Sequence, residues 1–223
     1  MDMKEDLFCG ITLKCDHIKC TVRIVMPDYV WLALERFQHI LPTATTDAPH
    51  EWKEPFYGIK RQYADNPDTS RLISQEKKTY TQQVIGVFIY YKQVVDITII
   101  KALNPIVESQ AAPTENMSSH WNQLLDYLSW HTQEATEYKA SDMQLWVHGD
   151  EAYLVVSKAC IQIAVYLFLS ETPGKPLQLK STHDASIYVK CWIMEHIVVS
   201  ATEAECGALF HKVKLAVPIK IRL

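Results

Sequence analysis

The stretch LWVHGDEAYLVV, Leu145 to Val156, decides how the C-terminal part of the chain is read. An apolar run meets a histidine, a glycine and two adjacent acids. Gly-Asp pairs favour turns, so one reading ends a short strand, QLWVH, at His148 and makes Asp150 an ordinary turn residue. The other reading makes Asp150 a catalytic carboxylate at the end of a buried strand, beside a helix N-terminus. The residues alone leave both open.

Working outward, IQIAVYLFL (161–169) alternates or runs continuously apolar, and SIYVKCWI (186–193) repeats Ile187, Val189, Cys191 and Ile193 at period two. A TPGK turn, 172–175, opens the connection between them. SATEAECGALFHKVKLA (200–216) follows, where Cys206, Leu209, Phe210 and Val213 predict a helix packing that stripe on the sheet. The order β-β-β-α begins an α/β domain that the chain is expected not to finish before Leu223. Ser200 and Glu203 have capping-box spacing, which gives Glu203 a structural duty. Glu205 has no such duty, and it falls about 100° from the centre of the expected buried stripe.

Upstream, LFCGITLKCDHIKCTVRIVM predicts a hairpin turning at Asp16 to Lys19. Asp28 is placed to cap a helix through YVWLALERFQHI, in which Val30, Ala33, Leu34 and Phe37 share a face. Prolines and polar residues without periodicity mark 41–70 as a linker. Helical spacing returns with Ile73, Tyr80, Val84, Phe88 and Tyr91. A further helix is expected over 97–110, with Pro105 kinking it or marking its first turn. Met117, Trp121, Leu124, Leu125 and Leu128 stripe the next one. Residues 1–140 thus form one unit and 141–223 a second.

The 223 residues carry a formal net charge of −4, so any nucleic-acid binding needs a local basic surface. The apolar runs are too short or too interrupted to cross a bilayer, and MDMKEDLFCG has no secretory pattern. An intracellular compartment, cytoplasmic or nuclear, is expected, with the six cysteines as thiols. Cys15 and Cys20 flank His17, but no second ligand pair at zinc-finger spacing follows.

Taken in order, GITLKCDHIKCTVRIVMPDYVWLALERFQH, QQVIGVFIYY, YKASDMQLWVHGDEAYLVVSKA and SATEAECGALF resemble the polymerase-to-ribonuclease H portion of a copia-type long-terminal-repeat retrotransposon polyprotein. The resemblance spans nearly the whole chain. It implies an α/β (α+β) architecture: an N-terminal hairpin and a helical thumb- or connection-like unit, then an incomplete ribonuclease H-like β-β-β-α domain. It also implies a parent that is an RNA-directed DNA polymerase and an RNA–DNA hybrid ribonuclease. Family members similar to this chain read H-S-D-A-S-Y where it has His148 to Tyr153, which aligns Asp150 with the first metal-binding carboxylate. The family's A-E-A-E aligns with 202–205 and puts Glu205 in the second. Such enzymes use two magnesium ions, one to activate water and one to stabilise the leaving oxygen.

The departures are as informative. The chain ends before the strand that supplies the family's next essential aspartate, which implies an incomplete metal site and leaves open that this chain holds no magnesium. A basic, glycine-paired R-S-R-A-G-G pattern is replaced by Cys160 to Val165, as mutational decay would leave it. YADN, 63–66, resembles a relic of the polymerase Y-x-D-D hairpin, yet Asp65 falls in the linker, where a solvated loop aspartate is the ordinary reading. A catalytically inactive fragment is therefore expected. The alternatives are a residual two-metal nuclease needing a partner to supply an acid, and a domesticated nucleic-acid-binding or interaction module. The incomplete sheet is expected to promote self-association.

Overall fold

The hairpin forms where the sequence places it. In the computed structural model, which describes residues 5–52, 68–156, 160–172, 185–196 and 198–223, β2 (Ile11–Asp16) pairs antiparallel with β3 (Thr21–Val25). The Asp16 carboxylate accepts the backbone N–H groups of Lys19 and Ile18 at 2.9 and 3.0 Å, closing the turn. Those bonds, that to Lys19 first, hold its carboxyl below the usual range. β1 (Glu5–Phe8) and β4 (Ala135–Lys139) extend the sheet in the order β1-β2-β3-β4. The short, polar ATEYK of β4 carries too little alternation to announce itself.

The fold is of the α+β class. Among the described residues the chain divides into two units, one running to residue 52 and resuming over Asp68–Glu137, the other running from Tyr138 to Leu223. None of its helices is long and apolar enough to cross a membrane among the described residues.

The first unit takes its core from helices with the expected stripes. In α1 (Tyr29–Arg36), Val30, Ala33 and Leu34 are buried, as is Phe37 just beyond it. Asp28 does not cap this helix through its side chain: its backbone is left-handed, φ 59°, and its carboxylate makes no cap hydrogen bond. α2 (Gln75–Val94) is capped by the Ser74 hydroxyl, which accepts the Lys77 N–H, and buries Val84, Phe88 and Tyr91. A 3₁₀ turn, Ile97–Ile99, leads into α3 (Ile100–Ser109). Pro105 lies inside α3, not in its first turn, so the Lys101 carbonyl lacks its usual helical donor. α4 (Glu115–Trp130) buries Trp121, Leu124, Leu125 and Leu128. Each fully buried aliphatic side chain contributes about 1.5–3 kcal/mol relative to exposure. His39 Nε2 meets Asp126 Oδ1 at 2.8 Å, fixing the chain beyond α1 to α4.

Residues 41–52 and 68–70 contain no helix or strand, in keeping with a linker; 53–67 lie outside the described residues. Asp68 is tied to the start of α4, since the Thr114 hydroxyl donates to its Oδ2 and the Ser70 N–H to its Oδ1. Led by the Thr114 bond, these lower its pKa to about 2. A depressed carboxyl pKa contributes stability that is full above the unfolded value, about 3.9, and is lost as pH falls through the folded value. Asp68→Asn should therefore lower the melting temperature at neutral pH, with the gap from wild type shrinking between about pH 5 and pH 2. A gap constant across that window would show that the carboxylate's charge is irrelevant.

In the second unit, β5 (Gln144–Val156), β6 (Cys160–Ser170) and β7 (Ser186–Ile193) form an antiparallel sheet in the order β5-β6-β7. β5 corrects both readings of LWVHGDEAYLVV. The strand does not stop at His148; Gly149, Asp150 and Glu151 continue it, opposite Val165, Ala164 and Ile163 of β6. Cross-strand pairing over this length overrides the local turn preference of Gly-Asp. The connection from 173 to 184, including most of TPGK, lies outside the described residues.

α5 (Ala201–Arg222) begins where expected but turns the other way. The sheet-facing residues are Ala204 and Ala208, fully buried, with Leu215, Ala216 and Ile219 packed beside them against Ile161, Ile163, Val165 and Leu167. The expected buried stripe of Cys206, Leu209, Phe210 and Val213 is exposed. Small residues let the helix backbone approach the sheet, and the bulky side chains are left outside.

Candidate functional site

The candidate site is built on β5 and the first turns of α5. Successive strand residues point to opposite faces of a sheet, and directly paired residues share a face. Val147, Gly149, Glu151 and Tyr153 therefore lie on the side of Val165 and Ile163, where α5 packs. Trp146, His148 and Asp150 lie on the other side, with Phe168, Tyr166 and Ala164.

Gly149 marks where α5 crosses β5. Its carbonyl accepts a hydrogen bond from Lys212 Nζ at 2.7 Å. A Cβ there would stand 2.6 Å from Lys212 Cε and 2.7 Å from the Ala164 carbonyl oxygen. The glycine expected to start a turn is instead the position over which the helix lysine lies.

Asp150 is exposed on the face away from α5. Glu205 is exposed on α5, about 60° around the helix from the buried Ala208. The pleat thus directs the two acids to different sides of the sheet. Glu151, which the sequence reading passed over, shares the helix side; the signal that could have found it is the odd-numbered alternation Leu145, Val147, Gly149, Glu151, Tyr153. Glu203 takes its structural duty: the Ser200 hydroxyl accepts the Glu203 N–H at 3.1 Å, and Glu203 Oε2 accepts the Val199 N–H at 2.8 Å. The sequence predicts the Ser200 N–H as that partner, and the amide used is one residue earlier.

His148 sits edge-on to the Phe168 ring with centroids 5.0 Å apart, which suits an aromatic packing role better than that of a base. Trp146 and Tyr166 also pack their rings on the fully buried Phe168. Asp65 lies outside the described residues. Cys15, His17 and Cys20 belong to the β2–β3 hairpin and its turn, where Cys20 Sγ donates to the His17 carbonyl at 3.6 Å. No group of three or more His, Cys, Asp or Glu side chains able to hold a metal occurs among the described residues.

A shallow concavity lies on the β2–β3 hairpin, bordered by Lys14, Asp16, Lys19, Arg23 and Glu137. Lys19 pairs with Asp16 and Arg23 with Glu137, each at 3.7 Å, so the carboxylates offset most of the field that the cations would offer an anion. Deeper in the first unit Tyr91 is fully buried, and burial, then Asp96, pushes its hydroxyl pKa well up. Among the described residues neither the Tyr91 hydroxyl nor Asp96 Oδ2 has a hydrogen-bond partner. Asp96 Oδ1 accepts both the N–H and the hydroxyl of Thr98, as the cap of the 3₁₀ turn. A buried unpaired hydroxyl costs about 1–3 kcal/mol, so Tyr91→Phe should raise the melting temperature. A fall would show that the hydroxyl has a partner such as an ordered water.

No protein-family model, curated protein or solved structure matches the chain.

Proposed function

We propose that the chain derives from the polymerase-to-ribonuclease H region of a copia-type retrotransposon polyprotein, and that it carries out no hydrolysis by itself. Support for the lineage comes from the order of motifs along the sequence and from the element order after Gln144. Three antiparallel strands and a helix across one face carry acids at the two aligned positions.

The loss of chemistry rests on one observation: the pleat of β5 sends Asp150 to the face that α5 does not occupy, while Glu205 is on α5. In the parent family, two magnesium ions would activate water and stabilise the leaving oxygen from a shared carboxylate cluster. The residues here do not fit that group. Two acids on opposite sides of a sheet cannot bridge ions about 4 Å apart.

Titration of the whole chain with magnesium and with manganese, followed by calorimetry, tests this. The expected result is no saturable binding in wild type, and the same flat trace in Asp150→Asn and Glu205→Gln. Saturable binding that both substitutions abolish would overturn the reading.

A further inference from the structure

The apolar stripe that α5 turns away from its own sheet points to a partner. Leu209, Phe210, Val213, Val217 and Ile221 are each 47–79 % exposed and recur at helical spacing, with Cys206 exposed at the head of the same face. At roughly 100 Å² apiece they present about 500 Å² of contiguous apolar surface, at the upper end of what a monomer normally shows. Two such faces together would bury about 1,000 Å², the lower bound for a specific interface.

The charges along the helix select the occupant. Glu203 and Glu205 lie in its first turns, and Lys214, Lys220 and Arg222 lie toward its end. A second copy running antiparallel brings the acidic end of each helix to the basic end of the other and also opposes the two helix dipoles. A parallel copy would set Glu205 beside Glu205 and Arg222 beside Arg222. We propose that α5 is the seam of a symmetric homodimer, packed antiparallel on α5 of a second copy with the two-fold axis near Val213. This registers Leu209 with Val217 and sets Glu205 near Lys220 of the second copy. The surface differs from the uncovered sheet that the sequence suggested for self-association, and it does not depend on the proposed lineage.

Sedimentation velocity of the full chain over a concentration series tests the seam. Wild type is expected to pass from monomer to dimer at roughly micromolar concentration. Val213→Glu should weaken the dimer at least about tenfold while leaving the circular dichroism melt unchanged, because the position is exposed. Glu205→Lys should weaken it at low salt, and the reciprocal Glu205→Lys/Lys220→Glu pair should restore it. Val213→Cys should cross-link to itself on mild oxidation, since the axis sets the two copies of that position side by side. A chain that stays monomeric at all concentrations, a dimer indifferent to Val213→Glu, or open-ended association would each overturn the proposal.

Discussion

Replacing Gly149 by valine should destabilise the second unit by about 1–3 kcal/mol, toward the top of that range. Two contacts decide the magnitude. A Cβ at this position stands 2.6 Å from Lys212 Cε and 2.7 Å from the Ala164 carbonyl oxygen. The lysine end can swing away, at the loss of its bond to the Gly149 carbonyl. The Ala164 oxygen is backbone of β6, the central strand, and cannot move without disturbing pairing on both its sides. Adding Lys212→Ala to Gly149→Val should therefore recover only part of the loss. Thermal unfolding followed by circular dichroism checks this. A Gly149→Val chain as stable as wild type would mean that 149 sits in a solvent-facing turn, as the Gly-Asp pair alone suggests.

The other large effect is Leu124→Ala, expected to cost about 2–5 kcal/mol, because Leu124 is fully buried on α4 and its loss leaves a cavity in the first unit's core. Its counterpart is Phe210→Ala on α5, which removes a larger side chain and should change the stability of the isolated monomer by less than about 0.5 kcal/mol. Phe210 is 64 % exposed. Chemical denaturation at a concentration where the chain is monomeric separates the two. Comparable losses would restore the expectation that the Phe210 stripe packs on the sheet.

That pair also shows what could be read from the sequence. In α1, α2 and α4 Val30, Leu34, Phe88, Tyr91, Leu124 and Leu128 are buried at the helical spacing that predicts it, although Trp31 and Leu32 of α1 stay exposed. α5 has two apolar faces. Ala204 and Ala208 carry little hydropathic weight, yet their size is what allows the helix to lie close on the sheet; Leu209, Phe210 and Val213 carry the weight and remain outside. Hydrophobicity picks the heavier stripe, and steric fit picks the lighter one.

The candidate site was harder to read for a related reason. Gly149 and Asp150 are turn formers in isolation, and β5 becomes a 13-residue strand only through pairing with β6. Once the strand continues through them, the pleat separates neighbours onto opposite faces. Which of Asp150 and Glu151 faces α5 is settled by a one-residue register that no local motif encodes. Asp28 shows the same limit on a smaller scale: its type suits a cap, but its left-handed backbone carries the carboxylate away from the amides it would accept.

The most direct measurement is incubation of an end-labelled RNA–DNA hybrid with the purified, folded chain in magnesium, and separately in manganese, beside Asp150→Asn and Glu205→Gln. The expected result is no cleavage by wild type and no difference among the three proteins. Metal-dependent cutting that both substitutions abolish would show that Asp150 and Glu205 act together in one metal site, and would contradict it.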